Sequence, residues 1–306
     1  MHLLTLHDLG KEAVAELIDR AIELKRRHKR GIPYRPLVGK TLLLLFEKPS
    51  TRTRISFEVA MTQLGGSTIF VTSQDTQLGR GEPIKDTARV VSRYVDSVVI
   101  RTHEHERIEE FARHSRVPVI NGLTKTHHPC QVLADIMTVV EKKGTYENLK
   151  IVWIGDGNNM ANSWIEIAGL LGLRLTLSCP DGFMPDEGLV EVARKEGAEI
   201  EFAETPEEAI KGADVVNTDV WTSMGDEEEK EKREKAFKGY QINDTLLELA
   251  NPDCIVMHCL PAHRGEEITD SVIEGSNSVV WDEAENRLHM QKAILERLLT
   301  GEGKQT

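Results

Sequence analysis

Short apolar runs alternate with longer amphipathic stretches along the chain, a pattern typical of repeated β-α-β units. The runs that predict strands are 41–46, 67–71, 96–101, 117–120, 150–155, 174–179, 198–203, 214–219, 254–259 and 278–283. The stretches that predict helices include 84–94, 131–143, 163–171, 188–195 and 288–299. The sequence therefore predicts an α/β fold in which mainly parallel sheets are flanked by helices.

The alternating pattern occurs twice, on either side of the segment "EKKGTYENLK" (141–150). Gly144 and Asn148 in this segment indicate the end of a linking helix and a turn into a new strand. Because 306 residues exceed what one hydrophobic core usually holds, we expect two doubly wound domains. Their predicted bounds are 1–140, with a final helix at about 285–306 packing back on it, and 141–284. Ligands of such sheets bind at the carboxyl ends of strands, so an active site is expected in the cleft between the domains.

The overall charge argues against a nucleic-acid partner, because 50 acidic residues outnumber 38 basic ones and the net charge is −12. The first thirty residues match no secretory signal, and no apolar run approaches the roughly 18 residues of a membrane span. Four dispersed cysteines suit a reducing compartment. We therefore expect a cytoplasmic globular protein with no membrane partner. The mixed charges of residues 225–240 predict a solvated helix.

The stretch "KPSTRTRISFEVAMTQLGG" (48–66) follows the first predicted strand and predicts an anion site at a helix N-terminus. Pro49 keeps its predecessor out of the helix, and Ser50 is a good N-cap. The first turn then carries Thr51, Arg52, Thr53 and Arg54. Cations are unfavourable at the positive end of a helix unless an anion is bound, so this turn predicts a phosphate ligand. The Gly-x-x-x-x-Gly-Lys frame of a P-loop is absent.

The two arginines of this turn are expected to have different partners. Arg52 and Arg54 are two residues apart and cannot share one face of a helix. We assign Arg52 to the anion and Arg54 to a carboxylate within the protein. The positions predicted to form the buried face are Ile55, Val59, Ala60 and Leu64, and Gly65–Gly66 are expected to end the helix.

A second group of polar side chains lies in "KTHHPCQVLAD" (125–135), after another predicted strand, and Pro129 is expected to open a helix there. This segment supplies His127, His128, Cys130 and Gln131, and the predicted strand 96–101 ends with Arg101. Neutral donors combined with one fixed cation suit the binding of a carbonyl oxygen together with a phosphate.

The histidines and cysteines also raise the alternative of a metal site. The candidate ligands are His103, His105, His127, His128, Cys254, His258, Cys259 and His263. Neither Cys-x-x-Cys nor His-Glu-x-x-His occurs, and adjacent residues on a strand point to opposite faces. We therefore predict no metal centre.

The second half of the chain begins with "KIVWIGDGNNMANSW" (150–164), which partly matches a dinucleotide-binding fingerprint. Gly155-x-Gly157 is present, but Met160 occupies the position of the third glycine and no clear acidic residue follows for a ribose. NAD is therefore disfavoured. Asn158 and Asn159 instead offer amides to a polar small molecule.

Two later predicted strands also end in polar residues. One ends at Asp219, an anion suited to an amino group, and the loop Ser223–Gly225 follows. The other leads into His258, Cys259, Leu260 and Pro261. Cys259 is either a small structural residue or a functional thiol, and nothing identifies the base and orienting partner that a Cys-His protease needs.

Together, four motifs closely resemble the aspartate/ornithine transcarbamoylase family, and within it the members that use ornithine. The motifs are Ser50-Thr51-Arg52-Thr53-Arg54, His128-Pro129-Cys130-Gln131, Asp219 with Ser223-Met224-Gly225, and His258-Cys259-Leu260-Pro261. With Arg287 early in the last predicted helix, the resemblance covers essentially the whole chain. Four motifs in this order make the match very specific.

The resemblance implies transfer of the carbamoyl group of carbamoyl phosphate to the δ-amine of ornithine, giving citrulline and phosphate without a cofactor. The residues implied for carbamoyl phosphate are Ser50, Thr51, Arg52, Thr53, Gln77, Arg101, His128, Pro129, Cys130, Gln131, Cys259, Leu260 and Arg287. Those implied for ornithine are Asn159, Asp219, Ser223 and Met224, and the implied catalytic residues are Arg101, His128, Asp219 and Cys259. Gln77 would come from a neighbouring subunit, which implies a homotrimer or a multiple of trimers.

Other family members and non-enzymes are the competing hypotheses. The aspartate-specific relatives lack the Ser-Met-Gly loop and the cysteines of both motifs. A putrescine-specific relative has no need of groups that recognise an α-amino group and an α-carboxylate, so Asp219 argues against it. A non-catalytic descendant would have lost part of one substrate set, whereas both sets are complete here.

Overall fold

The computed structural model describes residues 1–77, 81–222 and 229–301, and the chain divides into two compact units. Unit 1 comprises Met1–Met137 and Glu285–Thr306, and unit 2 comprises Thr138–Ala284. Within the described ranges, no helix is both long and apolar enough to cross a membrane.

Unit 1 is built on a four-stranded sheet in the order β2-β1-β3-β4, in which neighbouring strands are parallel. Its strands are β1 (Thr41–Phe46), β2 (Ser67–Thr72), β3 (Ser97–Arg101) and β4 (Val119–Leu123). Its helices are α1 (Lys11–Lys29), α2 (Thr51–Gln63), α3 (Ile84–Val91), α4 (His105–His114) and the first part of α5 (Pro129–Lys143). A core of side chains such as Leu43, Val98, Ile100 and Phe111 lies on one face of the sheet.

Unit 2 is built on a five-stranded sheet in the order β7-β6-β5-β8-β9, again with parallel neighbours. Its strands are β5 (Lys150–Ile154), β6 (Arg174–Ser178), β7 (Glu199–Phe202), β8 (Val215–Thr218) and β9 (Ile255–His258). The helices that follow α5 are α6 (Asn159–Leu171), α7 (Glu187–Glu196), α8 (Pro206–Ile210), α9 (Lys230–Ala236), α10 (Asp244–Leu247), α11 (Asp270–Ile273) and α12 (Val280–Thr300), and most of α12 belongs to unit 1.

The strand order reverses once in each sheet, and these reversals define where a ligand is expected. In unit 1 the chain moves outward from β1 to β2 and then returns to place β3 on the other side of β1. In unit 2 the same reversal separates β5 from β8. Open parallel sheets bind ligands at the carboxyl ends of the two strands that flank such a point. The loops after β1, β3, β5 and β8 are therefore the positions to inspect.

Nine of the ten predicted strands are confirmed, because buried parallel strands carry continuous apolar runs that are easy to recognise. The tenth prediction, 278–283, is wrong, since α12 begins at Val280 and Ser278 forms only an isolated bridge with Val256. Asp282 and Glu283 lie in the first turn of α12, where acidic side chains favour a helix N-terminus. The final helix thus begins earlier than predicted.

The start of α2 is confirmed, but its predicted buried face is partly wrong. Ser50 Oγ accepts the backbone N–H of Thr53 at 3.2 Å and caps the helix, and Gly65 follows its end with φ +92°. Ile55, expected inside, is 53% exposed. The buried positions are Thr53, Phe57, Ala60, Met61 and Leu64, which share one face at helical spacing.

Candidate functional site

An arginine cluster in unit 1 consists of Arg52 in α2, Arg101 at the end of β3 and Arg287 in α12, around His128, which precedes α5. Arg101 is the last residue of β3 and pairs in register with Phe46, the last residue of β1. Both strands therefore end beside the helix that Ser50 caps. The structure thus brings the predicted phosphate-binding turn and the predicted cation of β3 to the same edge of one sheet.

His128 is the buried centre of this cluster. Burial first, and then the positive charges of Arg287, Arg101 and Arg52, hold the pKa of His128 well below its ordinary value of 6.5. The imidazole is therefore neutral at pH 7 and can donate one hydrogen bond without adding a fourth positive charge. The sequence predicted neutral donors beside one fixed cation, whereas the structure places one neutral imidazole near three guanidinium groups.

Arg287 and Thr53 link the last helix to the anion-binding turn. Arg287 Nη2 donates to the Thr53 hydroxyl oxygen at 2.7 Å, and both side chains are buried. Within the described residues, Arg52 Nε is buried and has no hydrogen-bond partner. Because burying an unpaired donor costs free energy, Arg52 is a group that an incoming acceptor would satisfy.

Arg54 behaves as predicted and differs from Arg52. Its Nε donates to Glu58 at 3.0 Å, and its guanidinium lies 3.6 Å from the centroid of the Phe70 ring. A pocket of about 430 Å³ adjoins this side of the capped helix, and its lining includes Ser50, Thr51 and Arg54 but not Arg52. Arg54 is exposed and has a carboxylate and an aromatic ring of its own chain as partners, which fits a structural role.

The other predicted residues of unit 1 lie at the start of α5 and after β2. Pro129 is the first residue of α5, a position that suits proline, and Gln131 Nε2 donates to Asp135 at 2.9 Å. Cys130 is fully buried, and burial raises the pKa of its thiol to about 12. That thiol is therefore protonated and inert. Gln77 is exposed, and its backbone carbonyl accepts the N–H of Glu82 at 3.0 Å.

Unit 2 places a buried carboxylate network, the Asp219 network, just after β8. Asp219 Oδ1 accepts from the Val220 N–H at 2.8 Å and from Cys259 Sγ at 3.1 Å. Its Oδ2 accepts from Asn158 Nδ2 at 2.9 Å. The carboxylate is thus oriented from three sides, and Cys259 takes part directly.

Asn158, which the sequence singled out but did not assign to a substrate, connects this network to α6. Its Oδ1 accepts the backbone N–H groups of Met160 and Ala161 at 2.8 and 3.2 Å, so it caps the helix. Asn159, predicted to bind ornithine, is the first residue of α6, and its carbonyl accepts from Ser163 Oγ at 2.7 Å. Ser223 and Met224, also predicted for ornithine, lie outside the described residues.

Leu260 follows Cys259 in an unusual backbone conformation. Its φ is +59°, in the left-handed region that a leucine side chain rarely adopts and that costs roughly 1–2 kcal/mol. Such a residue persists only where its surroundings hold it. The motif that contains Cys259 is therefore a strained turn at the end of β9.

Two findings in unit 2 revise the sequence interpretation. The predicted solvated helix around α9 carries Arg233, which is buried and donates to Asp156 Oδ2 at 2.7 Å and to the Trp221 carbonyl at 2.8 Å. Gly157 is explained by packing, because a Cβ there would lie 2.2 Å from the backbone nitrogen of Pro185. The partial dinucleotide fingerprint thus has a steric cause in this fold.

The described part of the chain contains two groups of potential metal ligands. Within each group, the ligand atoms all lie within 4.8 Å of one another. The groups are Asp219 with His258 and Cys259, and His263 with Glu266 and Glu267. His258 and Cys259 are adjacent in sequence yet share the first group, because Cys259 lies just beyond the end of β9. The ligand atoms of that group already carry hydrogen bonds, so the expectation of no metal centre stays a prediction.

Comparisons with known proteins define the class to which this fold and these clusters belong. The carbamoyl-P binding domain model of aspartate/ornithine carbamoyltransferase matches residues 1–141, and the Asp/Orn binding domain model matches residues 147–298. The chain therefore belongs to the aspartate/ornithine carbamoyltransferase family.

Individual relatives point to one branch of that family. The ornithine carbamoyltransferase of Geobacter metallireducens is 59% identical over 97% of this chain and 99% of its own length, and that of Archaeoglobus fulgidus is 54% identical over 99% of each chain. The solved structure of the ornithine carbamoyltransferase from Pyrococcus furiosus superposes with a TM-score of 0.94 at 50% identity, covering 98% of this chain and 97% of that one.

Proposed function

We propose that this protein transfers the carbamoyl group of carbamoyl phosphate to the δ-amine of L-ornithine, giving L-citrulline and phosphate. The observation that carries the proposal is the arginine cluster of unit 1, in which three guanidinium groups act on one neutral, buried imidazole. That arrangement suits a small ligand with a dianionic phosphate at one end and a polarisable carbonyl at the other. The full-length similarity to ornithine carbamoyltransferases supports the same reaction.

Unit 1 is proposed to bind carbamoyl phosphate. The phosphate lies at the N-terminus of α2, where Ser50, Thr51, Arg52 and Thr53 supply N–H groups, hydroxyls and a guanidinium. Arg101, His128 and Gln131 bind the carbamoyl end, and Arg287 completes the positive surroundings through Thr53. Pro129 and Cys130 shape this wall at the start of α5.

The same groups are proposed to activate the carbonyl carbon. Arg101 and the neutral imidazole of His128 donate to the carbonyl oxygen, whose negative charge grows as the tetrahedral intermediate forms. Donors that are already oriented for this charge can contribute about 10²–10³-fold each to the rate. Burial of His128 serves the reaction, because a charged imidazolium would repel the three arginines.

Unit 2 is proposed to bind ornithine through the Asp219 network. The α-amino group approaches the Asp219 carboxylate, and the α-carboxylate approaches Asn159 and neighbouring donors; Ser223 and Met224 complete this set. Cys259 and Leu260 contact the reacting ends of the two substrates. An incoming ammonium would replace one of the hydrogen bonds that Asp219 now accepts from Asn158 or Cys259.

The reaction then forms one C–N bond and breaks one C–O bond. The δ-amine must be neutral to attack, and because an alkylamine has a pKa of about 10.4 in water, exclusion of water has to lower it. After attack on the carbonyl carbon, the bond to the phosphate oxygen breaks and phosphate leaves. The amine proton passes to the departing phosphate or to the Asp219–Cys259 pair. Neither a metal nor an organic cofactor is required.

We further propose that the protein works as a homotrimer, or a multiple of trimers, in the cytoplasm. Gln77 is exposed in its own chain, as a residue lent to a neighbouring subunit should be. Apolar residues on the same unit are exposed too, including Ile55 at 53% on α2 and Ile69 at 48% on the edge strand β2. All four cysteines are free thiols, which suits a reducing compartment.

A comparison of amine substrates tests the proposed reaction. Citrulline formation is measured with carbamoyl phosphate and ornithine, and aspartate, putrescine and N-acetylornithine are assayed in parallel. Turnover confined to ornithine is the expected result. Turnover with another amine would overturn the assignment of the Asp219 network, and no turnover with any amine would overturn the proposed function.

A further inference from the structure

A buried histidine–glutamate pair lies directly behind the Cys259–Leu260 turn. His258 is the last residue of β9, and Glu267 lies nine residues further along; the two side chains are 0% exposed. His258 Nε2 and Glu267 Oε1 are 2.9 Å apart. Burying a carboxylate and an imidazole is unfavourable unless their hydrogen bonds are satisfied, and the reaction proposed above uses neither group.

The hydrogen bonds of this pair fix the tautomer of His258. The backbone N–H of Leu260 donates to His258 Nδ1 at 2.9 Å, so Nδ1 is the unprotonated ring nitrogen. The ring proton is therefore on Nε2 and is donated to Glu267 Oε1. A chain of hydrogen bonds thus runs from Leu260 through the imidazole to Glu267.

Two further hydrogen bonds tie the surrounding backbone to buried carboxylates. The N–H of His258 itself donates to Glu283 Oε2 at 2.9 Å, and the N–H of His263 donates to Glu267 Oε1 at 2.6 Å. Glu267 therefore accepts two hydrogen bonds on one oxygen. Glu267 thus joins the His258 side chain to the His263 backbone, and Glu283 holds the His258 backbone.

The segment between these anchors is the one that needs support. Leu260 has the left-handed φ of +59°, and Cys259, which precedes it, donates its S–H to Asp219 Oδ1 at 3.1 Å. If the Leu260 N–H lost its acceptor, the turn could relax to an ordinary conformation, and the peptide that joins Cys259 to Leu260 would rotate. The thiol would then leave Asp219.

We propose that Glu267 is a positioning residue that acts through His258 to hold the Cys259–Leu260 turn in its catalytic geometry. As a contribution to turnover, this inference rests on the proposed function. It predicts that loss of the Glu267 acceptor impairs the ornithine half of the reaction and leaves phosphate binding in unit 1 intact. It also predicts that hydrogen bonding by residue 267 matters more than its negative charge.

The matched variants Glu267→Gln and Glu267→Leu test both statements. Within the described residues, Glu267 Oε2 has no hydrogen-bond partner, so glutamine can keep its carbonyl oxygen at the Oε1 position with its NH2 group where Oε2 lies. Leucine has similar bulk and no acceptor. We expect Glu267→Leu to lower kcat/KM for ornithine about 100-fold, since small displacements of reacting groups cost about that much. We expect Glu267→Gln to stay within about 3-fold of wild type and both variants to bind inorganic phosphate as wild type does.

Two structural measurements keep the inference testable whatever the kinetics show. Nitrogen-15 NMR of histidine in the unmodified protein should find His258 protonated at Nε2 and unprotonated at Nδ1. Hydrogen exchange of the Leu260 amide should be slow in wild type and Glu267→Gln and faster in Glu267→Leu. The opposite tautomer, or Leu260 exchange and ornithine kinetics that Glu267→Leu leaves unchanged, would overturn the inference. If wild type forms no citrulline, the proposed function fails, and the tautomer and the exchange data still decide whether the pair holds the turn.

Discussion

The arginine cluster and the Asp219 network occupy equivalent places in two similar sheets but are built on opposite electrostatic plans. Each lies at the carboxyl ends of the strands where the strand order reverses. The first gathers three guanidinium groups around one imidazole. The second surrounds one carboxylate with three hydrogen-bond donors. The same topology thus presents clustered positive charge in one unit and a carboxylate in the other.

The difference shows two ways in which a polar site can be arranged before a ligand binds. The arginine cluster keeps positive charge in a buried place, so a phosphate removes an electrostatic cost when it binds. The Asp219 network has its hydrogen bonds already made, so an ammonium group has to exchange partners with it. We therefore expect the first cluster to supply affinity and the second to supply selectivity.

The largest expected effect comes from removing one charge of the arginine cluster. Arg52→Ala should lower kcat/KM for carbamoyl phosphate about 1,000-fold, because a buried donor that acts on both phosphate and transition state is lost. Steady-state kinetics and phosphate-binding calorimetry measure the effect. Arg54→Ala, two residues away, is the matched control and should retain most activity, since Arg54 pairs with Glu58. Equal losses in the two variants would refute the separate roles of the two arginines.

A smaller, selective loss is expected from the Asp219 network. Asp219→Asn keeps the shape and the acceptor oxygen but removes the charge, so KM for ornithine should rise about 100-fold, equivalent to about 2.7 kcal/mol. Binding of phosphate to unit 1 should not change. Asp253→Asn, which alters an exposed carboxylate that pairs with Lys143, is the control and should be neutral. A parallel loss of phosphate affinity in Asp219→Asn would contradict the division of labour between the two clusters.

Gln77 tests whether the arginine cluster depends on a second copy of the chain. Gln77→Ala should weaken the binding of carbamoyl phosphate about 10-fold, because one hydrogen-bond donor is lost. If that donor comes from a neighbouring subunit, each site needs an intact Arg52 from one chain and an intact Gln77 from another. Random co-assembly of equal amounts of Gln77→Ala and Arg52→Ala subunits should then restore about a quarter of the sites. Activity of the mixed assembly that does not exceed the average of the two parents would argue that Gln77 acts within its own chain.

The last expected effect concerns the stability of unit 1 in acid and not the reaction. Burial, followed by the charge of Lys292, lowers the pKa of His289 to about 3, against 6.5 for the unperturbed group. Between these values the unfolded state binds more protons than the folded state, so stability falls as the pH falls from about 6.5 toward 3. The slope from this group is at most about 1.4 kcal/mol per pH unit.

Denaturant unfolding at several pH values measures this slope. His289→Gln should flatten it, whereas His263→Gln, at an exposed histidine of unit 2, should leave it unchanged. An unaltered slope in His289→Gln would assign the acid sensitivity to other groups, such as the buried His128.

Local signals in the sequence were sufficient for most of the fold and for the cap of the helix at the proposed anion site. β1 was predicted to the residue because its apolar run is continuous, and Ser50 was predicted as a cap because its side chain acts on its own helix. Predictions failed where the deciding partner is distant in sequence. Arg233 was expected in solvent and is buried, because Asp156, 77 residues away, neutralises it.

The same limit applies to the support of the Cys259–Leu260 turn. A residue that precedes proline is expected to be extended, and nothing in the local sequence indicates a left-handed Leu260. Glu267 lies in a polar stretch that resembles a surface turn, and only the position of His258 at the end of β9 shows why it is buried. The run 278–283 failed differently, because a short apolar segment fits a strand and a buried helix equally well.

The thiols of the chain make the second site accessible to a chemical probe. Burial raises the pKa of Cys130 and of Cys254 to about 12 and that of Cys179 further, so these three are protonated and shielded. Cys259 alone among the four cysteines is partly exposed. A water-borne alkylating reagent would therefore modify this chain at one position, next to Asp219. Because the proposed amine substrate would cover this thiol, its binding would slow the alkylation and could be followed without any engineered label.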